Sequence, residues 1–303
     1  MNTKTYLVSY GDLSFGAAIR KPKKVLKTDS QQYHIQFGGK EKCIDITVYK
    51  NEPKAWLTGL RHDKLCVMNE TLPEGNSGTV LMVCAAILFT IHNYPYVSSL
   101  EFLDKSQLKC KLKTKIPLDS YYFAKHGKTW YESKFGARPA YEPYIRSMEM
   151  LNVFLDSSAE KAKYAFESFY KERVFVHVKK HYEDMKHISY DAKDKYIGQL
   201  KQIMCPLFNE TSTFREFIKK IDESHPQNCI IYHHHFGWLN TFLTQAGNIP
   251  FQGMNWIIDK SCVPKNSVIK VKPYEKTLFV QKHDKFDFMT SLPPQHGGIK
   301  NIF

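Results

Sequence analysis

The sequence predicts an α+β fold, in which a mainly antiparallel sheet with helices is followed by a mainly helical second domain with a few short strands. Three observations predict it. Short β-type runs, separated by Gly, Lys and Asn/Glu/Pro breaks, occur at residues 33–37, 43–49 and 55–60. Apolar residues at helical spacing follow between Leu81 and Ile91. Beyond residue 150, capping-box patterns precede further helical segments.

Each element follows from the local pattern. Ser77 is suited to cap a helix that ends before Asn93 and Pro95, and the next apolar run predicts a strand at 97–103. The capping boxes begin at Ser157 and Thr213. The remaining predicted elements are short helices at 118–125 and 128–134 and short strands at 268–271 and 277–280.

Length and proline placement predict two domains. The chain has 303 residues, which corresponds to two units of roughly 150 residues each. Pro139 and Pro143 mark the expected boundary. We therefore expect an α/β domain at residues 1–140. A helix-rich domain with short C-terminal strands and an extended tail is expected at residues 141–303.

The charge balance predicts a polyanionic neighbour. The chain carries 43 Lys and Arg against 30 Asp and Glu, a net charge of +13. Lys109, Lys111, Lys113 and Lys115 alternate with uncharged residues, which places them on one face of a strand. Residues 20–24 form a second basic cluster. A protected edge strand and an exposed loop are the favoured explanations of these two clusters, and nucleic acid, acidic protein and anionic lipid remain open as partners.

The cysteines and the apolar segments indicate an intracellular, reducing environment, the cytoplasm. Seven cysteines are widely spaced and form no Cys-x-x-Cys pair, so we expect reduced thiols. No apolar run is long enough for a membrane span, and the first residues do not resemble a signal peptide. The consecutive histidines at 233–235 cannot all face one ion from a regular element, so no metal is expected.

The order of the elements resembles the GNAT superfamily of N-acetyltransferases. A meander is followed by the turn at residues 75–78, a helix, a strand and the segment at residues 130–136 with the sequence Trp-Tyr-Glu-Ser-Lys-Phe-Gly. The resemblance implies a GNAT-like mixed sheet in the first domain. It also implies that backbone N–H groups at the start of the helix bind the pyrophosphate of acetyl-CoA. The implied cofactor-binding residues are Asn76, Ser77, Gly78, Thr79 and Val80.

The resemblance also assigns two catalytic roles. Tyr131 is placed as the general acid that protonates the leaving thiolate, and Glu101 as the general base. The phosphate loop, however, departs from the family pattern. Asn76 stands at the first glycine and Pro73 at the Gln/Arg position, which adds a side chain near the phosphate and removes a cation.

Two functional hypotheses follow. The first is a non-catalytic, GNAT-like structural protein without a cofactor, which contacts protein neighbours in an assembly such as the particle of a large DNA virus. Such a minor capsid protein would also lie in the virion. In style, the chain is similar to uncharacterised proteins of large nucleocytoplasmic DNA viruses. The alternative is an N-acetyltransferase that moves an acetyl group from acetyl-CoA to an amine.

Overall fold

The computed structural model describes residues 3–21, 32–61, 64–69, 76–104, 107–109, 115–176, 190–224, 236–251, 253–263, 267–275 and 278–279. The chain forms two compact units. The first comprises Met1–Ser106, Tyr131–Ala140 and Met254–Phe303. The second comprises Gln107–Trp130 and Tyr141–Gly253.

The first unit is built on a nine-stranded sheet with the strand order β11-β1-β2-β3-β4-β5-β6-β10-β9. Neighbouring strands are antiparallel, except that β5 and β6 run parallel. The strands are β1 (Thr3–Tyr10), β2 (Leu13–Arg20), β3 (Gln32–Gly38), β4 (Lys42–Tyr49), β5 (Lys54–Leu60), β6 (Ser99–Leu103), β9 (Arg138–Pro139), β10 (Asn255–Asp259) and β11 (Ile269–Pro273). The predicted α+β class, with a mixed and mainly antiparallel sheet, is confirmed.

The last strands of the chain belong to the first unit, which differs from the predicted division at residue 140. Strand β10 lies between β6 and β9, and β11 pairs with β1 at the end of the sheet. In β10 the consecutive residues Trp256, Ile257 and Ile258 are all buried, as is typical of a strand inside a sheet that is covered on both faces. The predicted strand at 268–271 is β11, whereas Leu278 and Phe279 are not in a strand and the rest of 277–280 lies outside the described residues.

One face of the sheet packs on helix α1 (Asn76–Asn93). The Phe89 ring lies 5.5 Å from the ring of Tyr6 and 6.1 Å from that of Phe37. Ile35 and Ile46 are paired on the same face and are buried. The opposite face is largely polar. On this face Thr47 is buried and His34 is partly exposed.

His34 on the polar face is expected to make stability depend on pH. Burial lowers the pKa of His34 below its ordinary value, although Asp45 raises it and Arg20 lowers it further. The unfolded chain therefore binds a proton at a higher pH than the folded protein does. As the pH falls through about 6.5, the free energy of unfolding should decrease. Urea titrations at pH 7.5 and pH 5 measure this decrease. It should be smaller in His34→Gln than in the wild-type protein, and an equal decrease in both contradicts the role of His34.

A disulfide holds the segment that precedes α1 against the sheet. Cys43 in β4 is bonded to Cys66, and both residues are buried. The backbone of Val67 lies so close to Gly39 that a Cβ at Gly39 would be 2.2 Å from it. The prediction that all cysteines are reduced is therefore wrong for this pair, because the fold brings together two residues whose spacing matches no motif.

The second unit is mainly helical. Its helices are α2 (Leu118–His126), α4 (Pro143–Asp156), α5 (Ser158–Ala162), α6 (Phe166–Phe169), a π-helix (Tyr170–Phe175), α7 (Tyr190–Asn209), α8 (Phe214–Ser224) and α9 (Phe236–Gly247). Helix α3 (Trp130–Phe135) crosses a boundary between the units in sequence. Its first residue belongs to the second unit and the others belong to the first. The capping box at Thr213 is confirmed, because Glu216 N–H donates to Thr213 Oγ1 at 3.2 Å and Thr213 N–H donates to Glu216 Oε2 at 3.1 Å.

The lysine run at 109–115 is not one strand. Strands β7 (Gln107–Lys109) and β8 (Lys115–Pro117) form an antiparallel pair in which Lys109 is opposite Lys115. The prediction of a lysine stripe along a single strand is therefore wrong. Residues 110–114 lie outside the described residues.

Aromatic side chains form the core of the second unit, together with the buried cations Lys161 and Arg215. The Phe169 ring lies 5.0 Å from the ring of Phe208, and the Phe214 ring lies 5.1 Å from that of Phe242. The Lys161 ammonium donates to the carbonyl oxygens of Phe208 and Thr211 at 2.7 and 2.6 Å. The ammonium thereby binds one carbonyl oxygen in the last turn of α7, where helix carbonyls lack partners within the helix, and a second just beyond its end.

Removing the Lys161 ammonium should destabilise the second unit. Lys161 is 6% exposed, and Lys161→Met removes the ammonium from both carbonyl oxygens, of which that of Phe208 also accepts from the Thr211 hydroxyl at 3.1 Å. We expect the free energy of unfolding to fall by about 2 kcal/mol in a urea titration. Lys163→Met is the control, because Lys163 is exposed and pairs only with Glu160, so its loss should change stability by less than about 0.5 kcal/mol. Equal losses in the two variants contradict the capping role.

No helix in the described part of the chain is long and apolar enough to cross a membrane.

Candidate functional site

The candidate site lies where the parallel strands β5 and β6 are joined through α1. The register of the two strands covers only three positions and ends with Trp56 opposite Glu101. Beyond it, the last four residues of β5 and the last two of β6 are not paired with each other. The carboxyl ends of adjacent parallel strands form a crevice where ligands commonly bind in open sheets.

A β-bulge adds to this irregularity in β5. Asp45 pairs with Gly59 and Ile46 pairs with Leu57, so Thr58 has no partner in the register of β4. The Thr58 hydroxyl donates instead to the carbonyl oxygen of Asp45 at 3.3 Å. Such a bulge bends a strand and interrupts its ladder, and here it lies beside the end of the parallel pairing.

The five residues proposed to bind acetyl-CoA all lie in the first turns of α1. The helix begins at Asn76, so Asn76 and Ser77 are helical residues, and the predicted cap at Ser77 is one position inside the helix. Thr79 is fully buried, and Gly78 is buried as well. The first N–H groups of a helix have no carbonyl partner within it, which is the arrangement suited to an anion.

Glu101 is buried and ion-paired. Its side chain is 8% exposed and lies 3.2 Å from the ammonium of Lys54, which is half-exposed. Lys54 stands two residues before Trp56 in β5 and therefore reaches the same sheet face as Glu101. The carboxylate of Glu101 is therefore already engaged with a neighbouring cation in the folded protein.

Tyr131 is packed in an aromatic cluster. It is 2% exposed in α3, and its ring lies 4.4 Å from that of Phe102 and 6.5 Å from that of Phe135. The predicted short helices at 118–125 and 128–134 correspond to α2 and α3, and Gly136 ends α3 with a positive φ of 56°. A ring enclosed in this way contributes to packing of the first unit.

The structure places the two predicted catalytic residues on opposite faces of the sheet. Glu101 and Phe102 are consecutive in β6, so their side chains point to opposite faces. Tyr131 packs against Phe102 and is therefore on the face away from Glu101. Sequence reasoning did not identify Lys54, because only the register of β5 and β6 places it on the same face as Glu101.

Two other groups singled out from the sequence lie wholly or partly outside the part of the chain that the structure describes. The histidines at 233–235 lie outside the described residues, as do residues 22–24 of the basic cluster at 20–24. Comparison with protein families, with curated proteins and with solved structures gave no significant match.

Proposed function

We propose that this protein is a non-catalytic, GNAT-like interaction protein that takes part in a larger assembly. The observation that carries this proposal is the separation of Glu101 and Tyr131 on opposite sheet faces, each already engaged with neighbours. A base and an acid that serve one acyl transfer must both reach the reacting atoms. The assembly we propose is the particle of a large DNA virus, in which this chain is a minor capsid protein. The protein would be made in the cytoplasm.

Surface composition supports an interaction role. In the second unit, Met150 and Val153 are each 72% exposed and lie three residues apart on α4. Tyr141, just before this helix, is 58% exposed. Apolar and aromatic side chains of this size are enriched at protein interfaces. The net charge of +13 favours neighbours with acidic surfaces.

The alternative is an acetyl-CoA-dependent N-acyltransferase, and one observation favours it. The amino end of α1 follows the parallel strand β5, whose pairing with β6 stops after Glu101. In this alternative, backbone N–H groups of residues 76–80 hold the pyrophosphate. The acetyl group then lies between the diverging ends of the strands.

A titration with acetyl-CoA distinguishes the two functions. For the non-catalytic protein we expect no saturable heat in calorimetry and no release of free coenzyme A in the presence of polyamines. Micromolar binding that weakens at least tenfold in Gly78→Asp contradicts the proposal, because the carboxylate would stand at the anion site. Gly198→Asp is the matched control, since Gly198 is exposed on α7 and a Cβ there meets nothing within 4 Å. Circular dichroism establishes that both variants are folded.

A further inference from the structure

The polar face of the sheet carries a continuous row of functional side chains. It lies on five neighbouring strands, β2 to β6, opposite the face that packs on α1. Directly paired residues of adjacent strands share a face, so the register defines the row without gaps. Its members are Arg20, His34, Thr47, Trp56 and Glu101.

Trp56 is the exceptional tryptophan of the chain. The other three, Trp130, Trp238 and Trp256, are fully buried, whereas Trp56 is partly exposed. It stands between Thr47 and Glu101, on a face with few apolar neighbours. A partly exposed indole offers a flat surface for stacking. Burial in the core does not explain a tryptophan at this position.

The acidic side chains Glu101 and Asp45 on this face each have a lysine partner. Glu101 is paired with Lys54, and Asp45 is paired with Lys42, each at 3.2 Å. The positive charge of Arg20 lies at the far end of the row, next to His34. Burial lowers the pKa of His34, so its ring is neutral at pH 7 and adds hydrogen-bonding capacity without charge. Thr47 and Glu101 are buried, so the row presents at its surface the partly exposed Trp56 ring, the partly exposed His34 and the cation of Arg20.

We propose that this row binds single-stranded nucleic acid, with a base stacked on Trp56 and a backbone phosphate at Arg20. Three strand spacings of about 4.8 Å separate these residues, which is roughly 14 Å. A base and the phosphate of its own nucleotide are closer together than this, so the two contacts require a strand of several nucleotides. The inference rests on the interaction role proposed above and adds a class of partner to it.

The test measures the binding of a ten-residue oligothymidylate by fluorescence anisotropy of a labelled strand. Trp56→Leu should weaken binding at least fivefold, since stacking on an aromatic ring contributes a large factor per base. Arg20→Gln should weaken it and lower the slope of log affinity against log salt by about one. The control variant is Lys171→Gln, which changes an exposed residue of the second unit and should keep the affinity within twofold.

Intrinsic fluorescence gives a second readout. Because the other tryptophans are buried, quenching by the unlabelled strand should report on Trp56. Trp56→Phe keeps a ring and should bind better than Trp56→Leu, which separates stacking from loss of the fold. Three outcomes overturn the inference: no saturable binding, equal weakening by Arg20→Gln and Lys171→Gln, or equal affinity for adenosine monophosphate and the strand. None of them bears on the acetyl-CoA titration, whose outcome decides the proposed function separately.

Discussion

Arg215→Met is expected to lower the free energy of unfolding of the second unit by about 3 kcal/mol. Arg215 is 6% exposed, and its guanidinium donates to Phe123 and Ala124 carbonyl oxygens at 2.8 and 2.9 Å. It also donates to Asp156 Oδ1 at 2.6 Å and to Asn152 Oδ1 at 2.7 Å. These contacts join the end of α2 to α4 and α8, and methionine fills much of the space but supplies none of the four donated bonds.

The measurement is thermal and urea unfolding followed by circular dichroism, with an expected fall in Tm of roughly 10 °C. Arg215→Lys keeps the charge but not the planar fork, so its loss should be intermediate. Lys220→Met provides the control on the same helix, because Lys220 pairs with Glu210 at 3.0 Å in an exposed position. A loss at Arg215 no larger than the loss at Lys220 shows that the buried contacts are not stabilising.

Removing the Cys43–Cys66 disulfide is expected to reduce the stability of the first unit by about 3 kcal/mol. The two cysteines are 23 residues apart, and the bond restricts the unfolded chain over that length. In the folded protein, the same segment is held by Leu65 and Met68, whose backbone groups bond to Glu41 and Ser14. We therefore expect a folded but less stable protein when both cysteines are replaced by alanine.

Reduction separates the bond from the packing of the two side chains. Dithiothreitol should lower the Tm of the wild-type protein and leave that of Cys43→Ala/Cys66→Ala nearly unchanged. Cys84→Ala is the control, since Cys84 is a buried free thiol and its loss should leave the response to dithiothreitol intact. A wild-type Tm that does not respond to dithiothreitol contradicts the presence of the bond.

Local patterns predicted the individual elements well. The alternation in residues 33–37 and 43–49 identified β3 and β4, and the apolar spacing between Leu81 and Ile91 identified α1, because these signals depend on neighbours within a few residues. Pairing over long distances was not predictable. Tyr10 is opposite Ile269, and nothing in either segment specifies the other. The placement of β10 and β11 in the first unit was missed for this reason.

The candidate site was predictable in part. The position of Glu101 in a strand and of Tyr131 in a helix followed from pattern, and both are confirmed. Their placement on opposite faces depends on which side of β6 the helix α3 packs, and this is set by the contact between Tyr131 and Phe102. The partner of Glu101, Lys54, became identifiable only when the parallel register of β5 and β6 was known.

The strand β11 at Ile269–Pro273 bears on the order in which the chain folds during synthesis. It pairs with β1, which is made before the other described strands of the sheet, and β10 is made only after Gly253, the last residue of the second unit. The second unit is therefore complete in the nascent chain while the sheet of the first still lacks two strands. Until β10 and β11 have been made, β1 and β6 each present an unpaired edge, and protection of these edges from other chains is needed for that whole interval.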